Sequence, residues 1–158
     1  MSAICFDRVY KSYGDQPVLR DFSLEVRPAE TKIILGGSGS GKSTILKMVL
    51  GLVRPDSGRV LVHDQEITGM SETDLMSVRK QIGMVFQEGA LFDSLSVAEN
   101  VAYRLLEDHS QSEAELERTV RRVLGFVGLE HALYKMPSEL SGGMRRRVAI
   151  AQIGRAHV

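Results

Sequence analysis

Apolar residues recur at two different spacings along this chain, and the spacing changes near Gln87–Ser96. In the N-terminal half, short apolar runs and alternations are bounded by turn residues. They predict strands at Ile4–Tyr10 and Val18–Val26, parted by Gly14–Pro17. Lys32–Leu35 reads as a short buried strand running straight into a glycine-rich segment. A helix is expected over Lys42–Leu52, ended by Gly51 and the turn at Pro55–Gly58. Arg59–Val62 and Ile82–Phe86 are further strand candidates.

The second half turns to helical spacing. Ser96 and Glu99 form an S-x-x-E capping box that opens a helix to about Leu106. Leu116, Val120, Val123, Leu124 and Val127 define one apolar face, with Glu117 and Arg121 paired outside it. Gly128 closes that helix, and Ser141 caps a last one to about Ile150. The order is an α/β part followed by an α part, with no repeat, low-complexity tract or long linker.

Composition narrows the class. The 158 residues are 43% hydrophobic and 25% charged, ordinary for a globular domain with a core of its own. Twenty basic side chains balance 20 acidic ones, so charge gives no case for nucleic-acid binding. The one cysteine, Cys5, has no internal partner, which fits a reducing compartment. No apolar run reaches the roughly 18 residues that cross a bilayer, and the first residues lack the pattern of a signal peptide. Service to a membrane system is therefore expected from the aqueous side.

The glycine-rich segment carries the sharpest chemistry. GGSGSGKST, at Gly36–Thr44, fits G-x-x-x-x-G-K-[ST]. Gly36, Gly37, Gly39 and Gly41 let backbone N–H groups turn inward and approach phosphate oxygens, with Ser38 and Ser40 between them. The helix from Lys42 aims its positive end at the same anion. Lys42 reaches the β- and γ-phosphates, and Ser43 offers a hydroxyl to Mg²⁺, with Thr44 following it. The bland alternative is a flexible Gly/Ser turn, but a strand before and a helix after supply the context a phosphate loop needs. The loop alone leaves kinase, GTPase and transport ATPase open.

LSGGM, at Leu140–Met144, opens the last helix with a capping serine and two glycines. It is either a second anion-binding helix terminus or a glycine-rich turn before a helix. Together with the upstream loop it resembles the signature motif of ABC (ATP-binding cassette) ATPases, and the resemblance covers Met1 to about Ala151. It implies a P-loop NTPase core of α/β class with an α-helical subdomain, incomplete at the C-terminus. It also implies ATP and Mg²⁺ as cofactors. Ser141, Gly142 and Gly143 would contact the ATP held by the second subunit of a homodimer. Gln87 would be the Q-loop glutamine, a catalytic residue and Mg²⁺ ligand beside Ser43, and Tyr13 would stack on adenine. Such stacking is worth about 1–3 kcal/mol. The implied division is 1–87 for the nucleotide-binding part, 88–151 for the Q-loop and helical subdomain, and 152–158 for a tail.

Met144 stands where most of the family has Gln, exchanging an amide for a thioether. VRKQIGMVFQEGALFDSLSVAENVAY (Val78–Tyr103) and MPSELSGGMRRRVAIA (Met136–Ala151) are similar to the ATPase subunits of Mce-type lipid transporters, including systems that maintain lipid asymmetry. That similarity implies a cytoplasmic ATPase, peripheral on the inner face of the cell membrane, with an integral-membrane permease and a periplasmic lipid-binding Mce protein. Gly89–Ser96 would face the permease. Import of an amino acid or other small solute is the alternative within the family. A non-hydrolysing nucleotide-binding module is the alternative outside it.

Other polar residues read as structural. His63, His109, His131 and His157 lack metal-ligand spacing. Asp64 and Glu66 sit in a turn after a strand, and Arg145–Arg147 read as a solvated helix face. The end of the chain breaks the family order. Where the family reads Ala-Arg-Ala, Ala151 is followed by Gln152, and IGRAHV is what one frame of a common sequencing adapter encodes before its stop codon. Gln152–Val158 is therefore expected to be a non-native tail. The Mg²⁺-holding Asp and water-polarising Glu that the family carries further on are not reached, and weak nucleotide binding without hydrolysis, from a marginally stable chain, is expected.

Overall fold

The computed structural model describes residues 1–86, 89–106 and 112–153. Four strands lie among them: β1 (Ile4–Tyr13), β2 (Gln16–Val26), β3 (Ser57–Val62) and β4 (Gln65–Glu66). The α-helices are α1 (Lys42–Val49), α2 (Glu72–Arg79), α3 (Val97–Leu106), α4 (Glu113–Phe126) and α5 (Gly142–Ile153). Two compact units divide the chain, Met1–Ile82 and Gly83–Val158.

The first unit is built on an antiparallel sheet in the order β2-β1-β3-β4. β1 is central, so Ile4 pairs with Val26 on one side and Val62 on the other. Its register slips after Phe6, where Arg8 takes φ 48° opposite Ser23, and again after Val9, where Asp21 of β2 takes φ 49°. Gly58 of β3 crosses this bulge so closely that a Cβ there would lie 2.4 Å from the Arg8 carbonyl oxygen. Phe6, Val9, Leu19, Val60 and Val62 are buried with Ile45, Met48 and Val49 of α1 and with Leu75 and Val78 of α2. Phe6 meets Phe22 edge-on at 5.5 Å. That packing fixes α1, and with it the loop at its N-terminus.

Three expectations change here. Lys32–Leu35 and Ile82–Phe86 are not strands. A strand exists through its ladder, and neither segment has a ladder partner among the described residues. Ile33 and Leu35 are accordingly 76% and 88% exposed rather than buried. The helix expected to Leu52 stops at Val49. Gly51 (φ 65°) donates to the Met48 carbonyl and Leu52 to that of Lys47, which closes the C-terminus in a left-handed turn. α2 had no counterpart in the sequence reading. It is capped by Ser71, whose hydroxyl accepts from the Asp74 N–H.

The second unit is helical, as the spacing predicts. Val97, Val101 and Leu105 of α3, Val120 and Leu124 of α4, and Val148 of α5 share one core with Leu129 and Leu140. The capping box is formed: Ser96 Oγ accepts from the Glu99 N–H, and Glu99 Oε2 accepts from the Ser96 N–H at 2.7 Å. Two further first-turn donors of α3, Val97 and Ala98, reach the carbonyls of Lys135 and Leu133. Arg121 donates to Glu117 on the outer face of α4. Among the described residues no helix is long and apolar enough to cross a membrane.

Candidate functional site

The segment Gly36–Gly41 leads into α1 as an exposed loop whose last residue is buried. Gly41 sits at φ 90° with Val18 and Leu19 of β2 beneath it. A Cβ there would lie 2.8 Å from Val18 Cγ1 and 3.1 Å from Leu19 Cδ2. Backbone sign and lack of room both demand glycine. The first helical bond runs from the Ile45 N–H to the Gly41 carbonyl at 2.9 Å. The N–H groups of Lys42, Ser43 and Thr44 precede it and have no helical acceptor. Gly41 provides no side-chain cap, and the first turn holds no acidic residue. A helix start with unsatisfied donors and no negative charge suits an anion.

Lys42 curls back over this turn. Its Nζ donates to the carbonyls of Gly36 (2.8 Å) and Gly37 (2.5 Å) and lies 3.4 Å from Ser40 Oγ. These are neutral acceptors holding a cation at the mouth of the loop, which a phosphate oxygen would outbid. Ser38 and Gly39 (φ 79°) form the exposed crest. Ser43 is exposed on the first turn, and Thr44 is buried on the core side. No group of three or more His, Cys, Asp or Glu side chains is placed to hold a metal among the described residues. One serine hydroxyl suits Mg²⁺ that arrives with phosphate oxygens and water as its other ligands.

Tyr13 ends β1 at the hairpin, pairing with Gln16 of β2. β2 is also the strand whose Val18 lies under Gly41, so one hairpin end carries Tyr13 and buttresses the loop. The ring is about half exposed, with Lys11 Nζ 5.5 Å from its centroid. Gln87 lies outside the described residues, as do His109 and His157.

In the helical unit, Ser141 Oγ accepts from the Met144 N–H at 3.3 Å, and Gly142 and Gly143 stand exposed with open space beside them. Met144 is half-buried and packs on the helical core, which gives its thioether an apolar role there. Arg145 and Arg147 are exposed but not simply solvated: Arg145 Nε donates to the Leu140 carbonyl and Arg147 to that of Val127. Asp64 takes the turn role expected of it, at φ 61°, accepting from the Ser2 N–H.

Sequence reasoning missed Asn100. It is 1% exposed on α3. Its side-chain oxygen accepts from the Phe92 N–H at 2.8 Å, and its amide donates to the carbonyls of Phe92, Leu95 and Ser96 at 2.9–3.0 Å. One amide thus shapes the loop ahead of α3, where Phe92 meets Tyr103 at a tilt, ring centroids 4.7 Å apart, with both rings about half exposed. Only its position one residue after the capping Glu99, on the inward side of a helix start, hints at this in the sequence.

Comparisons with known proteins agree on the family. A family model described as ABC transporter matches residues 19–154. The chain is 45% identical over 145 residues to the chloroplastic protein TRIGALACTOSYLDIACYLGLYCEROL 3 of Arabidopsis thaliana, covering 91% of this chain and 41% of that one. It is 41% identical to the intermembrane phospholipid transport system ATP-binding protein MlaF of Haemophilus influenzae, covering 88% and 53%. It is 40% identical to the methionine import ATP-binding protein MetN of Bifidobacterium longum, covering 94% and 39%. CbiO1 of Clostridium perfringens, part of the ABC transporter complex CbiONQ, superposes with a TM-score of 0.84 at 32% identity over 96% of this chain and 61% of that one. A dimeric ATP-binding cassette in a post-hydrolysis state with ADP and phosphate gives 0.86 at 31% identity, covering 95% and 68%. The chain thus spans about two-fifths of the length of the first of these relatives, 41%.

Proposed function

The chain belongs to the ABC transporter family, and on that premise we propose that it is the nucleotide-binding part of a lipid transporter's ATPase subunit. The observation that carries the nucleotide half of this reading is the start of α1: free N–H groups, no acid, and a lysine held by two loop carbonyls and a serine hydroxyl. On binding, Lys42 leaves the Gly36 and Gly37 carbonyls for the outer phosphates. The N–H groups of the loop and of the first turn of α1 hold the inner ones. Ser43 presents its hydroxyl to the metal, and Tyr13 stacks on the base. When bound, Mg²⁺-ATP supplies the phosphoryl group whose transfer to water powers the cycle. Gln87 completes the metal shell and senses the permease-facing segment. Ser141, Gly142 and Gly143 turn a second helix start toward the nucleotide of a partner subunit, which makes a homodimer the working unit.

Lipid is favoured as cargo by the relatives named for trigalactosyldiacylglycerol and for intermembrane phospholipid transport, at 45% and 41% identity. The assembly then includes an integral-membrane permease and a lipid-binding Mce protein, with this chain peripheral on the cytoplasmic face. Division at 1–87 and 88–151 separates nucleotide binding from coupling. A second reading, import of a small solute, is favoured by the 40% identity to the methionine importer subunit. Purification of the native complex from membranes tests the cargo. Phospholipid and a permease accompanying the chain are expected; a solute-binding protein with methionine and no lipid would overturn the lipid reading.

A further inference from the structure

Ladder pairing between β1 and β3 ends at Tyr10↔Ser57, yet three residues of β1 remain beyond it. Asp56 takes over where the ladder stops. Its N–H donates to the Tyr10 carbonyl at 2.9 Å. Its carboxylate then accepts from Lys11 Nζ at 2.7 Å through Oδ1 and from the Ser12 N–H at 2.7 Å through Oδ2. One residue therefore ties down three consecutive residues of β1. On the other edge Ser12 faces Pro17, which has no N–H to donate. The next residue is Tyr13, and the Lys11 ammonium that Asp56 holds lies over its ring. Lys11 is mostly covered, with its side chain 16% exposed, whereas the Tyr13 ring stays about half open.

We propose that Asp56 is a positioning residue for base recognition: through Lys11 and Ser12 it holds the Tyr13 ring in the orientation that stacks a nucleobase. The inference rests on the adenine-stacking reading of Tyr13. Lys11 and the Ser12 N–H hold the Asp56 carboxyl below its usual range, so the carboxylate is charged at neutral pH. Asp56 bonds to Tyr10, Lys11 and Ser12, none of them in the Gly36–Thr44 loop, so its effect is expected in affinity for the base and not in affinity for phosphate.

The test is equilibrium titration of the 158-residue chain with Mg²⁺-ATP and, separately, with inorganic tripolyphosphate, which has the phosphates without the base. Asp56→Ala is expected to weaken ATP about three- to tenfold, the range of a lost cation–π pair with its tethering hydrogen bond. Tripolyphosphate affinity should stay within about twofold, as for uncoupled sites. In a Tyr13→Ala background, Asp56→Ala should add nothing. Asp56→Asn, which keeps an acceptor for Ser12 but not the charge, should fall between wild type and Asp56→Ala. Lys11→Met removes the same ring contact and its ion pair with Asp56 but leaves the Asp56 bonds to Tyr10 and Ser12 in place, and should also weaken ATP alone. Equal losses for ATP and tripolyphosphate in both Asp56→Ala and Lys11→Met would overturn the proposal, as would stronger ATP binding in Lys11→Met. If Tyr13→Ala weakens ATP and Asp56→Ala does not, Asp56 has no such role although Tyr13 keeps its own. If Tyr13→Ala leaves the ATP-to-tripolyphosphate ratio unchanged, the stacking assignment itself falls and takes the proposal with it.

Discussion

Helices α1 and α5 both start in glycine- and serine-rich sequence, yet they are built by different means. At α1 the turn is shaped by sterics: Gly41 is left-handed and seated on Val18 and Leu19, with no side chain capping the first turn. At α5 the turn is shaped by hydrogen bonding. Ser141 accepts from the Met144 N–H, and Gly142 and Gly143 have open space around them. The first start leaves its donors free and keeps a cation beside them; the second has already satisfied one donor. A helix terminus built by packing can dedicate its amides to a ligand, while one built by its own serine shares them. Under the proposed function, α1 would supply the primary phosphate cradle and α5 a supplementary face for a second subunit's nucleotide.

The contrast breaks first at Gly41. Gly41→Val puts a branched side chain at φ 90° where 2.8 Å separates even a Cβ from Val18. It should cost about 1–3 kcal/mol of strain or more and abolish nucleotide binding, read by a denaturant melt and an ATP titration. A variant that kept both would show that packing does not shape this turn.

Asn100 tests the other unit. Asn100→Leu keeps the branched heavy-atom shape but removes the acceptor for the Phe92 N–H and the donor to three carbonyls. The stability loss should be about 1–3 kcal/mol, that of orphaned buried polar groups, with ATP affinity unchanged. A parallel loss of ATP affinity would contradict the separation of the two roles. Ser141→Ala sharpens the comparison itself. Losing a serine cap should cost about 1 kcal/mol, seen as a lower denaturation midpoint, while ATP affinity of the isolated subunit holds.

The smallest effect is on pH dependence. Hydrogen bonds and charge from Arg59, Lys11 and Arg79 depress Asp7, Asp56 and Glu72, and Ser96 and Ser112 depress Glu99 and Glu115. Because their folded values lie below the unfolded ones, near about 4, they contribute stability at neutral pH. That stability is lost as pH falls from about 4 through the depressed folded values. A melting temperature that rose on acidification through that window would contradict the sign. These groups are exposed, so the effect should shrink with added salt.

Much of this was readable from local signals. Helix α3 follows from the capping box at Ser96, α4 from its apolar spacing, and the hairpin from Gly14 and its neighbours; the second capping box, Ser112 with Glu115, is a finding of the structure. A phosphate loop is a local motif, and three of its glycines answer to a nearby clash or a backbone sign: Gly36 to Ser40, Gly39 to its φ of 79°, and Gly41 to both, whereas Gly37 has open space and no positive φ. The misplaced strands at Lys32–Leu35 and Ile82–Phe86 fail for the opposite reason: a ladder partner is non-local and leaves no mark on the segment itself. α2 escaped because it is short and buries only Leu75 and Val78, although Ser71 and Asp74 carry the cap pattern. Asn100 and Asp56 look like ordinary surface polar residues in sequence. Their roles arise from carbonyls and N–H groups that folding brings to them.

The central claim is that α1 and its lysine form the phosphate site. Calorimetric titration of the 158-residue chain and its Lys42→Ala variant with Mg²⁺-ATP tests it most directly. Saturable binding by the wild type, weakened about thirtyfold or more in the variant, is the predicted result, in the range of lost hydrogen bonds from a charged group. Equal affinity in the two proteins would contradict it.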